Sequence, residues 1–223
     1  TETMVTRVDT AGQVVYLDHG GPLPYDALLV ATGGWANKLE APGADRVERI
    51  FNFVTMDDTR ALIANALQSK TAVTSGGSFI AYELTEGLNV RGVHVTWLMR
   101  GPFWLRNILD AEGGQLVDNI ARAHGVDVVH GESITEVVAA NGQPQHIIAT
   151  SGKTYQADMI GVGLGLTLNH GFLSDTPIER KLGIIANEYL ETNVPGVYTA
   201  GDVAEFYDSM IGVHHSMGTW DNA

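Results

Sequence analysis

A strand-like apolar run that ends in two glycines is the first place where this sequence could do chemistry. The turn and the start of the helical pattern behind it comprise Gly76, Gly77, Ser78, Phe79, Ile80 and Ala81. In a dinucleotide fingerprint the first glycine makes a tight turn, the second lets the backbone approach a pyrophosphate, and the third lets helix and strand pack closely. Those positions hold Gly76, Ser78 and Ala81, and the helix N-terminus offers unpaired N–H groups to phosphates. We predict a dinucleotide site here; the alternative is an ordinary strand-to-helix turn.

The strand after this helix ends without the acid that NAD sites carry. A carboxylate about 20 residues beyond the glycines normally binds the ribose 2′-hydroxyl of NAD. Met99 holds that position, Arg100 follows it directly, and Arg106 comes after a short loop. Guanidinium groups bind phosphate oxygens bidentately, so the pattern favours NADPH over NADH. In that case Met99→Glu should raise the relative affinity for NADH. The alternative is that both arginines are solvated loop charges.

Other polar and aromatic side chains raise further chemical possibilities. Ser78 departs from the fingerprint, because a side chain would face the diphosphate. Trp97 and Trp104 flank the arginines, and Trp104 either stacks on an adenine or packs in the core. His214 and His215 are adjacent, so they do not share one face of a helix or strand, and we predict no metal site there.

Helical patterns occur on both sides of this unit. Asp57 or Asp58 is the expected N-cap of a helix that runs to about Gln68. The side chains expected on its inner face are Leu62, Ile63, Ala66 and Leu67. Another helix is expected over Ala111–Ala123. Its apolar side chains at helical spacing are Leu116, Ile120 and Ala123.

Short strand patterns fill the rest of the chain. "MVTRVD" and "QVVYLD" predict two antiparallel strands, and "ALLVA" predicts a strand buried on both faces. Further strands are expected at "VDVVH", "ITEVVAA", "PQHIIAT", "ADMIGVG" and "GVYTAGD". Strands that alternate with helices predict an α/β protein with a parallel sheet.

The composition limits the class of protein and of partner. The chain has 223 residues, of which 44% are hydrophobic and 17% charged, as in an ordinary globular protein. Its net charge of −13 argues against nucleic acid or an anionic membrane as the main partner. The sequence has no cysteine, which excludes a disulfide, a thiolate metal site and a cysteine nucleophile within it. No apolar run approaches the ~18 residues of a transmembrane helix, and we expect a cytoplasmic protein.

Five segments, in order along the chain, resemble one protein family. They are "YDALLVATGG", "GGSFIAYEL", "ADMIGVGLGLTLN", "YLETNVPGVYTAGDVAE" and "TWDNA". Together they resemble the FAD- and NAD(P)-dependent pyridine nucleotide–disulfide oxidoreductases, in the branch of ferredoxin, rubredoxin and nitrite-reductase-like reductases. The resemblance implies a Rossmann-like NAD(P)-binding domain over residues 56–168, inserted in a partial FAD-binding domain formed by residues 1–55 and 169–223. It also implies that the family's N-terminal ADP-binding unit and C-terminal interface domain lie outside this sequence.

The resemblance assigns roles to individual residues. Gly201 and Asp202 match the segment whose carboxylate hydrogen-bonds the FAD ribityl chain, with a plain turn residue as the alternative for Asp202. Glu83 matches a glutamate near the nicotinamide, with a half-buried helix carboxylate as the alternative. The other matches are Thr32 and Gly33 along the FAD, Gly163 and Gly165 in a turn beside the cofactor, where Leu168 replaces the family's proline, and Trp220 near the flavin or in the core.

These assignments imply a flavin-dependent NAD(P)H oxidoreductase. Hydride would pass from NAD(P)H to FAD, and electrons would pass on to a small-molecule or redox-protein acceptor. The intact protein would then be a candidate homodimer, with no nucleic acid partner and no transmembrane segment. The alternatives are a non-catalytic module that binds or senses NAD(P), and a fragment that is inactive by itself.

Overall fold

The computed structural model describes residues 2–216 and confirms an α/β protein with a parallel sheet. The chain forms two compact units. Residues 36–165 make the first, called the inserted unit below; the chain up to Trp35 and from Leu166 onward makes the second, called the flanking unit. The inserted domain was expected to begin at residue 56. The compact unit begins at residue 36, and strand Ile50–Phe51 pairs with Met159–Val162 inside its sheet.

A five-stranded parallel sheet forms the centre of the inserted unit. In spatial order its strands are Ile50–Phe51, Met159–Val162, Thr71–Ser75, His94–Met99 and Asp127–His130. The central strands are buried on both faces, as expected of parallel strands that are covered on both sides. From Thr71–Ser75 the chain moves outward to one edge, and it later returns on the opposite side of that strand. The direction of winding therefore reverses beside Thr71–Ser75.

Helices cover one face of this sheet. They are α1 (Met56–Ala66), α2 (Phe79–Asn89) and α3 (Ala111–Ala123). Leu62 of α1 and Leu88 of α2 pack in one cluster with Val95 of the sheet. Ala121 of α3 packs with Trp97, which lies two residues beyond Val95 and so on the same face.

A small antiparallel sheet covers the opposite face. Its strands are Ile134–Ala140, Gln143–Ala149 and Thr154–Gln156. Ile147 of this sheet packs with Val73 and Leu98 of the parallel sheet. The inserted unit therefore has three layers, and these bury the central strands almost completely.

The start of α1 differs from the prediction. Thr55, and neither Asp57 nor Asp58, is the N-cap. The Thr55 side chain accepts a hydrogen bond from the N–H of Asp58, and the Asp58 carboxylate accepts one from the N–H of Thr55. This capping box fixes the helix start two residues earlier than an aspartate cap at position 57 would. The helix ends at Ala66, and Leu67, predicted to face inward, is 79% exposed.

Two other expectations about α1 and α3 concern the buried face. Ile63 of α1 is partly exposed, whereas the inward positions predicted at Leu62 and Ala66 are confirmed. α3 has the predicted bounds, but the apolar side chains that recur at helical spacing do not face the core. They are all exposed: Leu116, Ile120 and Ala123.

α3 buries a polar face for a structural reason. Asp118 is buried because its Oδ2 accepts hydrogen bonds from His130 Nε2 at 2.5 Å and Arg122 Nη1 at 3.3 Å. Gly114 lies against Phe103, whose Cβ would be 2.5 Å from a Cβ at position 114. Only glycine permits this contact, so α3 is oriented by Gly114 and Asp118.

The flanking unit is built from short strands. Val5–Asp9, Val14–Leu17 and Leu23–Pro24 form an antiparallel sheet, which confirms the first predicted pair. The remaining strands are Leu28–Val30, Gly34–Ala36, Leu166–Leu168, Ile184–Ala186, Val197–Thr199, Ala204–Asp208 and Val213–His215. Leu28–Val30 pairs in parallel with Val197–Thr199. No helix within residues 2–216 is long and apolar enough to cross a membrane.

Candidate nucleotide site

A cavity of about 870 Å³ lies at the carboxyl ends of the parallel strands of the inserted unit. It adjoins the ends of strands Thr71–Ser75 and Met159–Val162, between which the winding of the chain reverses. In open α/β sheets, ligands bind at such a switch point. The residues that line the cavity include Asn37, Gly76, Ser78, Arg100, Arg106 and Gly163. The structure therefore brings together most of the side chains predicted to bind a dinucleotide.

Gly76 and Gly163 approach each other as closely as glycine allows. Gly76 has φ of 135°, and a Cβ there would lie 2.2 Å from the carbonyl oxygen of Gly163. A Cβ on Gly163 would lie 2.5 Å from the backbone nitrogen of Ala81. The two strand ends and the first turn of α2 are therefore packed backbone to backbone.

Ser78 lines the cavity, and two hydrogen bonds hold its side chain. It is the N-cap of α2, and its Oγ accepts a hydrogen bond from the N–H of Ala81 at 3.4 Å. The same Oγ donates to the carbonyl oxygen of Gly163 at 2.9 Å. Both hydrogen bonds turn the hydroxyl toward the protein, and contact between this side chain and a diphosphate stays a prediction.

The carbonyl groups of the turn are held by the segment that follows it. Trp97 Nε1 donates to the carbonyl oxygen of Gly76 at 2.8 Å, and Trp104 Nε1 donates to that of Ser78 at 3.0 Å. The N–H of Leu105 donates to the carbonyl oxygen of Gly77 at 3.2 Å. Sequence analysis missed these roles of the tryptophans. The signal was the indole N–H, which needs an acceptor when it is buried.

Met99 is fully buried and does not line the cavity. Its side chain packs with Trp97 and Ala121 on the helical face of the sheet. The predicted contact between position 99 and a ribose is therefore wrong, because strand alternation turns this side chain into the core. The next residue, Arg100, is exposed and lines the cavity. Met99→Glu would place a carboxylate in the core and not beside a ligand.

Arg100 and Arg106 supply positive charge to the cavity. Both are exposed and both line it, together with Lys38 and Glu40. Within the part of the chain that the structure describes, neither guanidinium forms an ion pair or a hydrogen bond. Their donors are therefore available to an anion.

The sequence of the chain also matches a known protein family. The model of the family described as "Pyridine nucleotide-disulphide oxidoreductase" matches residues 1–223. The chain belongs to this family. The match confirms the resemblance of the five quoted segments.

Several members of the family resemble the chain. The NAD(P)H-dependent nitrite reductase of Bacillus subtilis is 30% identical over 92% of this chain and 25% of its own length. A Rhodopseudomonas palustris ferredoxin reductase has a TM-score of 0.90 at 22% identity, over 100% of this chain and 55% of its own. An engineered water-forming NADPH oxidase, bound to NADPH, has a TM-score of 0.85 at 23% identity over 99% and 50%. Its parent, the water-forming NADH oxidase of Lactobacillus brevis, was solved with NADH. The chain spans between a quarter and a half of the first curated relatives.

Glu83, predicted from the family to lie near a nicotinamide, is not in the cavity. It is exposed, whereas the alternative for this residue was a half-buried carboxylate. It lies beside an apolar groove lined by Phe53, Leu62 and Leu84, between α1 and α2. Its role in a family reaction stays a prediction.

The family residues of the flanking unit occur in tight turns. Thr32 Oγ1 donates to the carbonyl oxygen of Asn169 at 2.6 Å, and Gly33 has φ of 57°. Gly201 has φ of 72° and precedes Asp202 in a short 3₁₀ helix. Within residues 2–216 no partner is seen for the Asp202 carboxylate, which is partly buried.

Two further predictions concern the C-terminal part of the chain. Trp220 lies outside the described residues. His215 Nε2 lies 3.3 Å from Asp208, and His214 packs on Tyr207. In the described part of the chain no three His, Cys, Asp or Glu side chains are grouped to hold a metal ion.

Proposed function

We propose that this chain is the nucleotide-binding part of a flavin-dependent NAD(P)H oxidoreductase. The cavity at the switch point of the inserted unit carries this proposal. It combines backbone N–H groups at the start of α2 with two guanidinium groups for which no partner is seen in the described part of the chain. Such a combination suits a dinucleotide, whose diphosphate binds at a helix N-terminus and whose adenosine end lies near the next strand.

We further propose that NADPH is preferred over NADH. Arg100 and Arg106 would bind the 2′-phosphate, because both guanidinium groups line the cavity just beyond the end of strand His94–Met99. The substitutions in the engineered NADPH oxidase support this. Two introduced arginines lie six residues apart, as Arg100 and Arg106 do here. Another substitution removes the aspartate directly before the first arginine, the place that Met99 has before Arg100. An introduced alanine lies nineteen residues before that arginine, as Ala81 does before Arg100 here.

The flanking unit would contribute to an FAD site. The Asp202 carboxylate fits this role, because it is partly buried, no partner for it is seen among residues 2–216, and a carboxylate can accept a hydrogen bond from a ribityl hydroxyl. Thr32 and Gly33 would lie along the bound FAD, and Trp220 would lie near the flavin. When bound, FAD supplies the acceptor for the nicotinamide hydride. Glu83 would orient the nicotinamide.

The electron acceptor is proposed as a class and not as a compound. Relatives are named for nitrite and for rubredoxin, so a small oxyanion or a small redox protein suits this chain equally. The intact protein is proposed to be cytoplasmic and homodimeric.

A flavin titration tests the whole proposal. The purified chain is mixed with stoichiometric FAD, desalted, and its visible spectrum is recorded before and after NADPH. Retained flavin that bleaches with NADPH supports the reductase. A chain that binds NADPH but retains no flavin supports instead the non-catalytic NAD(P)-binding module. A folded chain that binds neither contradicts both.

Isothermal titration tests the preference for NADPH. Arg100→Ala and Arg106→Ala should each weaken NADPH binding by roughly tenfold or more, because each removes hydrogen bonds to a charged group. NADH affinity should change less than about twofold. Arg91→Ala is the control, since Arg91 bonds Gly87 on α2 and lies outside the cavity. Equal losses for NADPH and NADH would refute the 2′-phosphate assignment.

A further inference from the structure

We propose that Trp104, with Trp97, is a positioning residue that aims the N–H groups of the Gly76–Phe79 turn at the ligand diphosphate. The inference rests on the proposed function and adds residues that lie outside the glycine fingerprint. In this proposal the indole N–H groups do not contact the ligand. They donate to the carbonyl oxygens of peptide units whose N–H groups, on the opposite side, would contact it.

The geometry of the trans peptide carries the first step. In each peptide unit the N–H and the C=O point in opposite directions. The carbonyl oxygens of Gly76, Gly77 and Ser78 are all bound by the segment Trp97–Leu105. The N–H groups of Gly77, Ser78 and Phe79 must therefore point away from those donors. Within residues 2–216 no acceptor is seen for the N–H of Gly77 or Ser78.

Packing fixes the two indoles. Trp104 lies 5.1 Å from Tyr82, ring centre to ring centre, and 5.5 Å from Phe79 in an edge-on contact. Trp97 is fully buried and lies 6.0 Å from the same Tyr82. Both donors are thus held by α2 itself, so the turn and its helix are braced by one aromatic cluster.

The third donor lies on a constrained backbone. Leu105 has φ of 47°, in the left-handed region that a leucine seldom adopts. This conformation directs its N–H to Gly77, and the carbonyl of Leu105 accepts from Ile108. The same loop carries Arg100 and Arg106. One segment therefore holds the diphosphate turn from behind and presents cations at the adenosine end.

Two small probes separate binding of the diphosphate from binding of the 2′-phosphate. ADP carries the diphosphate without a 2′-phosphate, and adenosine 2′-monophosphate carries the 2′-phosphate without a diphosphate. In isothermal titrations of the 223-residue chain, Trp104→Phe should raise the Kd for ADP roughly 3- to 10-fold, as the loss of one hydrogen bond predicts. The Kd for adenosine 2′-monophosphate should stay within about twofold. Trp35→Phe, at an exposed tryptophan of the flanking unit, is the control.

The outcomes are distinguishable. If wild-type protein binds ADP and Trp104→Phe binds it equally well, the positioning role is refuted while the proposed function stands. Equal weakening of both probes would mean a general structural defect and also refutes it. A folded wild type that does not bind ADP refutes the proposed function itself. Replacing Trp104 with 3-benzothienylalanine, which has sulfur in place of the N–H, repeats the test with the packing intact and must give the same selective loss.

Discussion

Two stretches of this chain have nearly the same sequence pattern but differ in their burial and in the element that follows them. "LLVATGG" in the flanking unit and "TAVTSGG" in the inserted unit are both apolar runs that end in a polar residue and two glycines. The second stretch is a strand buried in the middle of three layers, and a capped helix follows it directly. In the first, Leu29 is 61% exposed, and a short strand begins at the second glycine.

The difference shows what makes a phosphate turn. Glycines alone permit positive φ in both stretches, at Gly33 and at Gly76. Only Gly76 is pressed against another backbone and followed by the free N–H groups of a helix N-terminus. The expectation that "ALLVA" is buried on both faces is wrong for the described residues, because an apolar run is buried only where both faces are covered.

The largest expected contrast is between the two glycines. Gly76→Ala should lower the free energy of unfolding by about 3 kcal/mol or more, because the new Cβ meets the Gly163 carbonyl and φ is positive. Gly33→Ala has positive φ but open space, so we expect about 1 kcal/mol. Urea denaturation measures both. Equal losses would show that backbone conformation, and not the close approach, distinguishes the turns.

The second largest contrast is in how much a side chain of each strand contributes to the free energy of unfolding. Val73→Ala removes a fully buried side chain and should cost about 2 kcal/mol in unfolding free energy. Leu29→Ala removes a larger side chain that is mostly exposed, and we expect a change within about 0.5 kcal/mol. The comparison fails if Leu29→Ala is the more destabilising of the two.

A smaller contrast concerns hydroxyl groups beside the glycines. Ser78→Ala removes the cap of α2 and the bond to Gly163, and it should cost about 1 to 2 kcal/mol. Thr32→Ala removes a bond to the Asn169 carbonyl at an exposed site, for which we expect at most about 0.5 kcal/mol. Thermal unfolding of the two variants measures both losses of stability. If Ser78→Ala lost no more stability than Thr32→Ala, the cap would be unimportant.

The smallest effect is a pH dependence in the inserted unit. Partial burial opposes ionisation of Asp158, but hydrogen bonds from the N–H groups of Thr71 and Lys70 outweigh it and lower the pKa of this carboxyl. A lowered folded pKa means that the stabilisation is present above the unfolded value near 3.9 and is lost as pH falls through the folded one. Asp158→Asn should cost about 1 kcal/mol at pH 7 and make unfolding less acid-sensitive.

The matched control for this effect lies in the flanking unit. Asp26 is exposed, and Asp26→Asn should leave the acid limb unchanged. Urea denaturation between pH 3 and pH 7 compares the two variants. An Asp158→Asn protein with the wild-type acid limb would contradict the assignment.

The sequence predicted the strand–turn–helix–strand unit and the bounds of α3 because each has strong local signals. It identified Leu62 and Ala66 as buried positions of α1, but it did not identify the buried face of α3 or the burial of Met99. Alternation separates Met99 from Arg100, but only the layers decide that Met99 enters the core. Leu116 and Ile120 looked like an inner face, yet Gly114 and Asp118 orient α3 through contacts with distant residues. Ser78 likewise takes its direction from Gly163, 85 residues away.

The contact of Phe103 with Gly114 has a consequence for motion. It fastens the loop between strand His94–Met99 and α3 to the helix, while Trp104 and Leu105 fasten it to the turn. A loop tied at three successive residues does not swing open as a lid. The walls of the site would therefore be in place before ligand binds. Because the Leu105 N–H is hydrogen-bonded to Gly77, its amide proton should exchange slowly with solvent even without ligand.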